Sequence, residues 1–211
     1  MDVTSLYYER TAEIIIKHLA KRHITGYYVA TKEEAVQKAL SLLEDNQQIS
    51  WGGSMTLSEI GLISALEKAG CYHLLDRSKV PAQEVEALYR RAFLTDTYFM
   101  STNAITLDGK LINIDGTGNR VAALIYGPKQ VIIIAGMNKV AKDETEALSR
   151  IHNVACPKNA IRLNKQTPCS ITGACQDCLS PDCICMQTVI TRNSKPEGRI
   201  KVILVGESLG Y

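Results

Sequence analysis

The sequence lacks a long hydrophobic run. Its longest apolar stretch, QVIIIAGM at residues 130–137, is far shorter than the roughly 18 to 20 residues that a membrane-spanning helix needs. Residues 1–23 contain Asp2, Glu9 and Glu13 and are typical of an amphipathic helix, with no basic segment followed by an apolar one. We therefore expect no signal peptide and no membrane partner, and a cytoplasmic location.

The sequence also has little net charge. Its 24 basic and 22 acidic residues give a net charge of +2, which is too small to indicate a nucleic-acid partner. Any anion-binding site must therefore be local. The four histidines show no metal-ligand spacing, so we interpret them as structural: His18, His23, His73 and His152.

A strand-then-helix rhythm runs through the first hundred residues. Short apolar strands at ITGYYVA, QISW, YHLLD and TYFMS alternate with helical segments, one of them predicted to run without interruption over residues 55–70. This alternation predicts an α/β fold with a mostly parallel, doubly wound sheet flanked by helices. The composition is that of one globular domain over residues 1–211, and a homodimer is the base-rate expectation.

The rhythm changes after residue 100. Asp108 and Gly109 lie between two apolar segments and favour a tight hairpin turn, which predicts a small antiparallel excursion. A helix, a buried strand at QVIIIA and another helix follow. Past Pro157 we expect a cysteine-rich loop, treated as an insertion over residues 156–186, and then two final strands in an arrangement that would let them pair with each other.

The first candidate ligand site is the turn WGGSMT at residues 51–56, where a strand runs into a helix. Gly52 and Gly53 let backbone N–H groups approach a ligand, and the hydroxyls of Ser54 and Thr56 favour a small anion such as a carboxylate or phosphate. The alternative is a tight turn with a capping hydroxyl. The segment lacks the P-loop lysine and the three-glycine dinucleotide spacing, so nothing here supports ATP or NAD binding.

A second glycine-rich turn precedes a later helix. Arg120 at its end could add a bidentate anion contact, and both turns would face one crevice if they lie at the carboxyl edge of the same sheet. The alternative is a hairpin exit followed by a solvated charge. The candidate residues of this turn are Asp115, Gly116, Thr117, Gly118, Asn119 and Arg120.

Five of the seven cysteines lie within residues 169–185. A Cys-x2-Cys pair with further cysteines nearby is typical of zinc sites and of iron-sulphur clusters, and spacing alone does not separate the two. The alternative is free thiols, or thiols that oxidise to disulfides. Cys71 and Cys156, in apolar surroundings, are interpreted as buried hydrophobic residues.

Three segments resemble the LUD-domain, or lactate-utilisation-protein, family. They are GGSMTLSEIG, STNAITLDGKLINIDGTGNRVAALIYGPK and NAIRLNKQTPCSITGACQDCLSPDCIC, and the likeness extends from about residue 50 to residue 185. The resemblance implies the fold of the NagB, RpiA and CoA-transferase superfamily and a role in a system that oxidises lactate to pyruvate. It also implies a metal-ligand set of Cys169, Cys175, Cys178 and Cys185. Cys183 stands where a basic residue is expected, so it is either a spare thiol or an alternative fourth ligand.

The central segment is also similar to a motif of the aldose-phosphate isomerases in that superfamily. Where those isomerases place a proton-shuttling acid, this chain has Asn103, whose amide can orient a substrate but cannot act as a general base. Glu59 is the candidate replacement base. Further candidate ligand contacts are Asp108, Asn113 and Asp115, and Lys110 and Lys139 are candidate anion contacts.

Three functional hypotheses follow. The first is an accessory or electron-transfer component of a lactate-oxidising system that binds a small anionic metabolite, works with other lactate-utilisation proteins and carries an iron-sulphur cluster or zinc. The second is an independent isomerase or CoA-transferase-like enzyme that uses Glu59 on a phosphorylated or CoA-linked substrate. The third is a non-catalytic ligand sensor with a structural zinc. Fold analogy does not choose among them.

Overall fold

The computed structural model describes residues 2–211, and Met1, the first residue of the predicted N-terminal helix, lies outside them. The helices are α1 Val3–Ala20, α2 Lys32–Leu40, α3 Met55–Glu59, α4 Leu62–Ala69, α5 Val85–Arg91, α6 Asn119–Ile125, α7 Glu144–Arg150, α8 Cys156–Arg162 and α9 Pro168–Thr172. The strands are β1 Thr25–Val29, β2 Gln48–Trp51, β3 His73–Leu75, β4 Thr97–Met100, β5 Ala104–Thr106, β6 Leu111–Asp115, β7 Gln130–Gly136, β8 Val140–Ala141, β9 Gln187–Thr191 and β10 Ile200–Val205.

The larger sheet has six strands in the order β1-β10-β7-β4-β2-β3, and every neighbouring pair is parallel. Strand β7 lies near its centre and is buried except at its first residue. Parallel strands that are covered on both faces need apolar residues at consecutive positions, which the run VIII at residues 131–134 supplies. The predicted α/β fold with a mostly parallel sheet flanked by helices is confirmed.

Alternate residues of β7 point into two different cores. Val131 and Ile133 pack with residues of α1 and α6 on one face of the sheet. Ile132 and Ile134 pack with residues of α2, α3 and α4 on the other face. The two-residue period of a strand thus divides the helices into two layers around one sheet.

A second sheet of four strands has the order β8-β5-β6-β9. Strands β5 and β6 form the predicted antiparallel hairpin, with Gly109 at φ +82° in its turn. One face of this sheet packs on α7, α8 and the π-helical segment Ile151–Ala155 between them. The antiparallel part of the fold is therefore larger than the hairpin that the sequence predicts.

Three local predictions were wrong. The helix expected over residues 55–70 is interrupted at Gly61, whose φ of +73° ends α3 and starts α4. The chain stays helical past Pro157, which lies at the start of α8 directly after the π-helical segment Ile151–Ala155. The last two strands do not pair with each other, since β9 joins β6 and β10 lies between β1 and β7.

The predicted domain bounds, 1–211 for the whole and 156–186 for the insertion, stay predictions. Among residues 2–211, no helix combines the length and the apolarity needed to cross a membrane.

The turn at Gly109 gives a stability prediction. A Cβ at Gly109 would lie 3.1 Å from the Leu19 backbone nitrogen, whereas a Cβ at Gly70, which also has positive φ (+68°), would meet nothing within 4 Å. Both Gly109→Ala and Gly70→Ala should lose about 1 kcal/mol to backbone strain, and Gly109→Ala should lose more because α1 must move. Urea unfolding of the two variants measures the difference, and equal losses would contradict the close approach of α1.

Candidate functional site

The carboxyl ends of four parallel strands meet around a cavity of about 100 Å³. Gly53, Ser54 and Thr56 follow β2, Ser101 to Asn103 follow β4, Lys139 follows β7, and Tyr211 belongs to the segment after β10. Ligands of open α/β sheets usually bind at this edge. A water molecule needs about 10–15 Å³ of such volume, so the cavity has room for a small metabolite but not for a nucleotide.

Lys139 is a buried cation on the wall of this cavity. Lys139 is the last residue of the 3-10 turn Met137–Lys139, and it is only 4% exposed. Its Nζ donates hydrogen bonds to Thr56 Oγ1 and Ser101 Oγ, each over 2.9 Å. Within residues 2–211 no carboxylate forms an ion pair with it.

The ionisation of Lys139 is shifted by its surroundings. Burial, followed by the positive charges of Arg150 and Arg120, lowers its pKa from 10.5 to about 7, although Glu59 acts weakly in the opposite direction. A lysine with this pKa is a mixture of ammonium and neutral amine near neutral pH. It can therefore serve as an anion contact in one form and as a nucleophile in the other.

The C-terminal segment covers Lys139. Gly210 lies so close that a Cβ there would be 2.7 Å from Thr56 Oγ1 and 3.3 Å from Lys139 Nζ. Its backbone N–H donates to Glu59 Oε2 over 2.7 Å. Glu59, the predicted base, is exposed and is not among the residues that line the cavity. In this structure the hydrogen bond between Glu59 and Gly210 fixes the C-terminal segment next to the cavity.

Arg120 holds the walls of the site together. Its guanidinium has five N–H groups, and all of them meet acceptors of the protein. Nη1 donates to Ser101 O and Asn113 Oδ1, Nη2 donates to Asn103 Oδ1 and Ile114 O, and Nε lies 3.2 Å from Asp115 Oδ2. The predicted direct contact between Arg120 and an anion would therefore require one of these bonds to break.

The two predicted asparagines are part of this network. The side-chain oxygen of Asn103 accepts hydrogen bonds from Ile114 N (3.0 Å) and Arg120 Nη2 (2.9 Å). The side-chain oxygen of Asn113 accepts from Arg120 Nη1 over 2.7 Å, while its buried Nδ2 has no partner in the described chain. Only Asn103 of the two lines the cavity.

The glycine-rich turn after β6 lies beside the cavity. Gly116, Thr117, Asn119 and Arg120 line an adjoining crevice of about 330 Å³, whose wall is shared with the cavity at Gly53 and Arg120. Asp115 Oδ1 accepts a hydrogen bond from Gly118 N over 3.0 Å. The two predicted glycine turns are thus brought together.

Two other predicted residues, Gly52 and Asp108, do not line the cavity. Gly52 is buried, and a Cβ there would lie 3.1 Å from Arg120 Cδ and from Tyr98 Oη, so its bare backbone makes room for the arginine. Asp108 pairs with Arg22 at 2.8 Å and with Lys110 at 3.3 Å in the hairpin turn, and it does not line the cavity.

Several residues of the cavity escaped sequence reasoning. Lys139 was only one of several candidate anion contacts, because nothing in the segment GMNKV indicates that its lysine is buried. Ser101 and Thr102 follow a strand as Ser54 does, so the strand-end rule could have found them. The remaining lining residues include Cys156, Asn159, Arg162 and Tyr211.

The four predicted metal ligands do not converge. Cys169 Sγ contacts Thr167 Oγ1 at 3.3 Å, and Cys175 Sγ lies 3.4 Å from His152 Nδ1. Cys178 and Cys185 both lie near Cys183, and Cys185 also contacts Cys156. Contact with Cys156, together with burial, raises the pKa of the Cys185 thiol, which keeps it protonated. Among residues 2–211 no three such side chains form a metal-binding group, so this arrangement does not fit a four-cysteine centre. The metal stays a prediction.

The Arg120 network gives the next prediction. Arg120→Lys keeps the charge but cannot supply five donors, so buried carbonyl and amide oxygens lose their partners. We expect a loss of about 3 kcal/mol in the free energy of unfolding. The matched control, Arg90→Lys, changes an exposed arginine paired with Glu86 and should leave stability unchanged. Urea denaturation compares the two, and equal stabilities would contradict the role of Arg120.

Comparison with known proteins gives the family. The model of the LUD domain matches residues 12–205. A DUF162 family protein from Deinococcus radiodurans has a similar structure, with a TM-score of 0.53 and 12% identity over 94% of this chain and 98% of that one. That likeness supports the fold alone.

Two further solved structures show weaker likeness. They are eIF2B delta from Chaetomium thermophilum (TM-score 0.37, 18% identity, 56% of this chain and 50% of that one) and ribose 5-phosphate isomerase A from Methanocaldococcus jannaschii (0.36, 15%, 55% and 56%). No curated protein matches the sequence. Because the family model spans nearly the whole chain, this protein belongs to the LUD-domain family.

Proposed function

We propose that the protein binds a small carboxylate, in the first place lactate or its oxidation product pyruvate, as an accessory component of a lactate-oxidising system in the cytoplasm. The observation that carries the proposal is Lys139, a buried lysine that borders the cavity and has no carboxylate partner within residues 2–211. Membership of the LUD-domain family supports the choice of metabolite.

The charges around the cavity favour an anion. Arg120 is balanced by Asp115, but among the described residues Arg150 donates only to the backbone oxygens of Asn138 and Asn103. Arg162 also lines the cavity, and its one partner within residues 2–211 is the neutral side chain of Asn159. An unpaired buried cation is costly, and a bound carboxylate would relieve that cost at Lys139.

Hydroxyl groups provide the specificity that we propose. Ser54 Oγ accepts a hydrogen bond from Leu57 N over 3.3 Å, so the hydroxyl hydrogen of Ser54 is available to a ligand in the cavity. A carboxylate accepts hydrogen bonds from hydroxyls and ammonium groups alike. Ser54, Lys139 and Arg162 would then contact the ligand, while Arg120 and Asn103 fix the walls.

The other functions receive less support. The isomerase or CoA-transferase alternative relied on Glu59 as base, but that carboxylate is engaged by Gly210 N outside the cavity. Oxidation of lactate needs an acceptor for two electrons, which these side chains do not supply, so we assign that step to other lactate-utilisation proteins. No step of the proposal passes through a metal at the cysteines.

The proposal predicts a pH-dependent affinity. Lactate should bind the protonated form of Lys139, and because the free protein loses that proton above a pH of about 7, affinity should fall about tenfold per pH unit there. Isothermal titration calorimetry with lactate, pyruvate and inorganic phosphate, below and above neutral pH, measures this. A stronger response to phosphate than to lactate would point to a phosphorylated ligand instead.

Variants locate the binding. Lys139→Met should abolish lactate binding, whereas Lys142→Met, at an exposed lysine three residues further along the chain, should not change it. Urea unfolding checks that both variants are folded. Lactate binding that survives in Lys139→Met, or that is absent from the wild type, would refute the proposal.

A further inference from the structure

The two hydrogen bonds at Lys139 account for both hydrogens of a neutral amine. The hydroxyl of Thr56 donates to Leu209 O and that of Ser101 donates to Thr102 O, each over 3.3 Å. Both oxygens can therefore only accept hydrogen bonds from Nζ. A neutral amine has two hydrogens and one lone pair, and the two hydroxyls use both hydrogens.

The lone pair of that amine remains free. In residues 2–211 Lys139 Nζ has no hydrogen-bond partner other than these two hydroxyls, and the side chain borders the cavity. Burial and neighbouring positive charges are the two means by which proteins make a lysine nucleophilic at neutral pH. Both are present here, since Lys139 is 4% exposed and Arg120 and Arg150 are the nearby charges.

We propose that Lys139 forms a covalent imine with the carbonyl carbon of a short-chain 2-oxo acid such as pyruvate, an inference that rests on the anion site proposed above. The Nζ lone pair forms the C–N bond while the carbonyl π electrons move to oxygen. That oxygen takes up the proton released by nitrogen, which gives a carbinolamine. Loss of water then yields the imine, so the products are imine and water and no oxidant is needed.

The cavity fits this class of ligand. Its volume of about 100 Å³ suits a small acid better than a nucleotide or CoA, and Arg162 on its wall supplies a positive charge while Lys139 reacts as a neutral amine. A 2-oxo acid has its carboxylate next to the reacting carbonyl carbon. The positive charge that attracts this carboxylate therefore also positions the carbonyl carbon. Lactate has the same carboxylate but no carbonyl group, and it can bind only without a covalent bond.

The test is reductive trapping. The wild-type protein is incubated with pyruvate and sodium cyanoborohydride, and the adduct is located by peptide mass spectrometry, which needs no variant. We expect modification at Lys139, faster as the pH rises through about 7 because the neutral amine reacts. Lactate and inorganic phosphate should compete with the labelling.

Variants provide the matched comparison. Lys139→Arg keeps the positive charge but cannot form an imine and should lose the adduct, while the exposed Lys142→Arg should keep it. Two results would overturn the inference: labelling of surface lysines without preference for Lys139, or labelling whose yield is unchanged when lactate is added.

The outcomes separate this inference from the proposed function. If pyruvate and lactate both bind by calorimetry but no adduct forms, the imine is refuted and the anion site stands. If neither binds and no adduct forms, both fail. The opposite pH dependences, with lactate affinity falling and trapping rate rising as the pH increases, distinguish the two modes within one protein.

Discussion

The site depends on how two partly buried arginines satisfy backbone and amide oxygens. Arg120 joins the end of β4 to β6 and the glycine turn, and Arg150 joins Asn103 O to Asn138 O. These hydrogen bonds hold the segments that follow β4 and β7 of the larger sheet in place beside the smaller sheet. Because all five N–H groups of Arg120 already have acceptors, a small anion must be bound by other cations. Among residues 2–211, Lys139 is the cation that is both buried and without a carboxylate partner.

The ionisation of Lys139 follows from that packing. The C-terminal segment lies against it at Gly210, and two hydroxyls that donate elsewhere accept its hydrogen bonds. A lysine in such surroundings exchanges between two forms close to neutral pH. One cavity can therefore attract an anion and offer a nucleophile, which connects the proposed ligand to the proposed covalent step.

The sequence predicted those features that depend on local patterns. Ser54 was found because a hydroxyl after a strand and before a helix is a local signal, and Gly109 because an Asp-Gly turn between apolar segments specifies a hairpin. The burial of Lys139 was not predictable, because it arises from Gly210, distant in the chain. Cysteine spacing likewise does not tell where thiols point, and Cys185 contacts Cys156 of α8 and Cys183, neither of which is among the four expected ligands.

The central claim is that Lys139 is a buried lysine whose amine is largely neutral slightly above neutral pH. Its ionisation can be followed directly by NMR of the side-chain carbon next to Nζ in protein with 13C-labelled lysine, with the signal assigned by its loss in Lys139→Arg. The account predicts a titration midpoint at a pH of about 7. A midpoint close to the ordinary lysine value of 10.5 would contradict it.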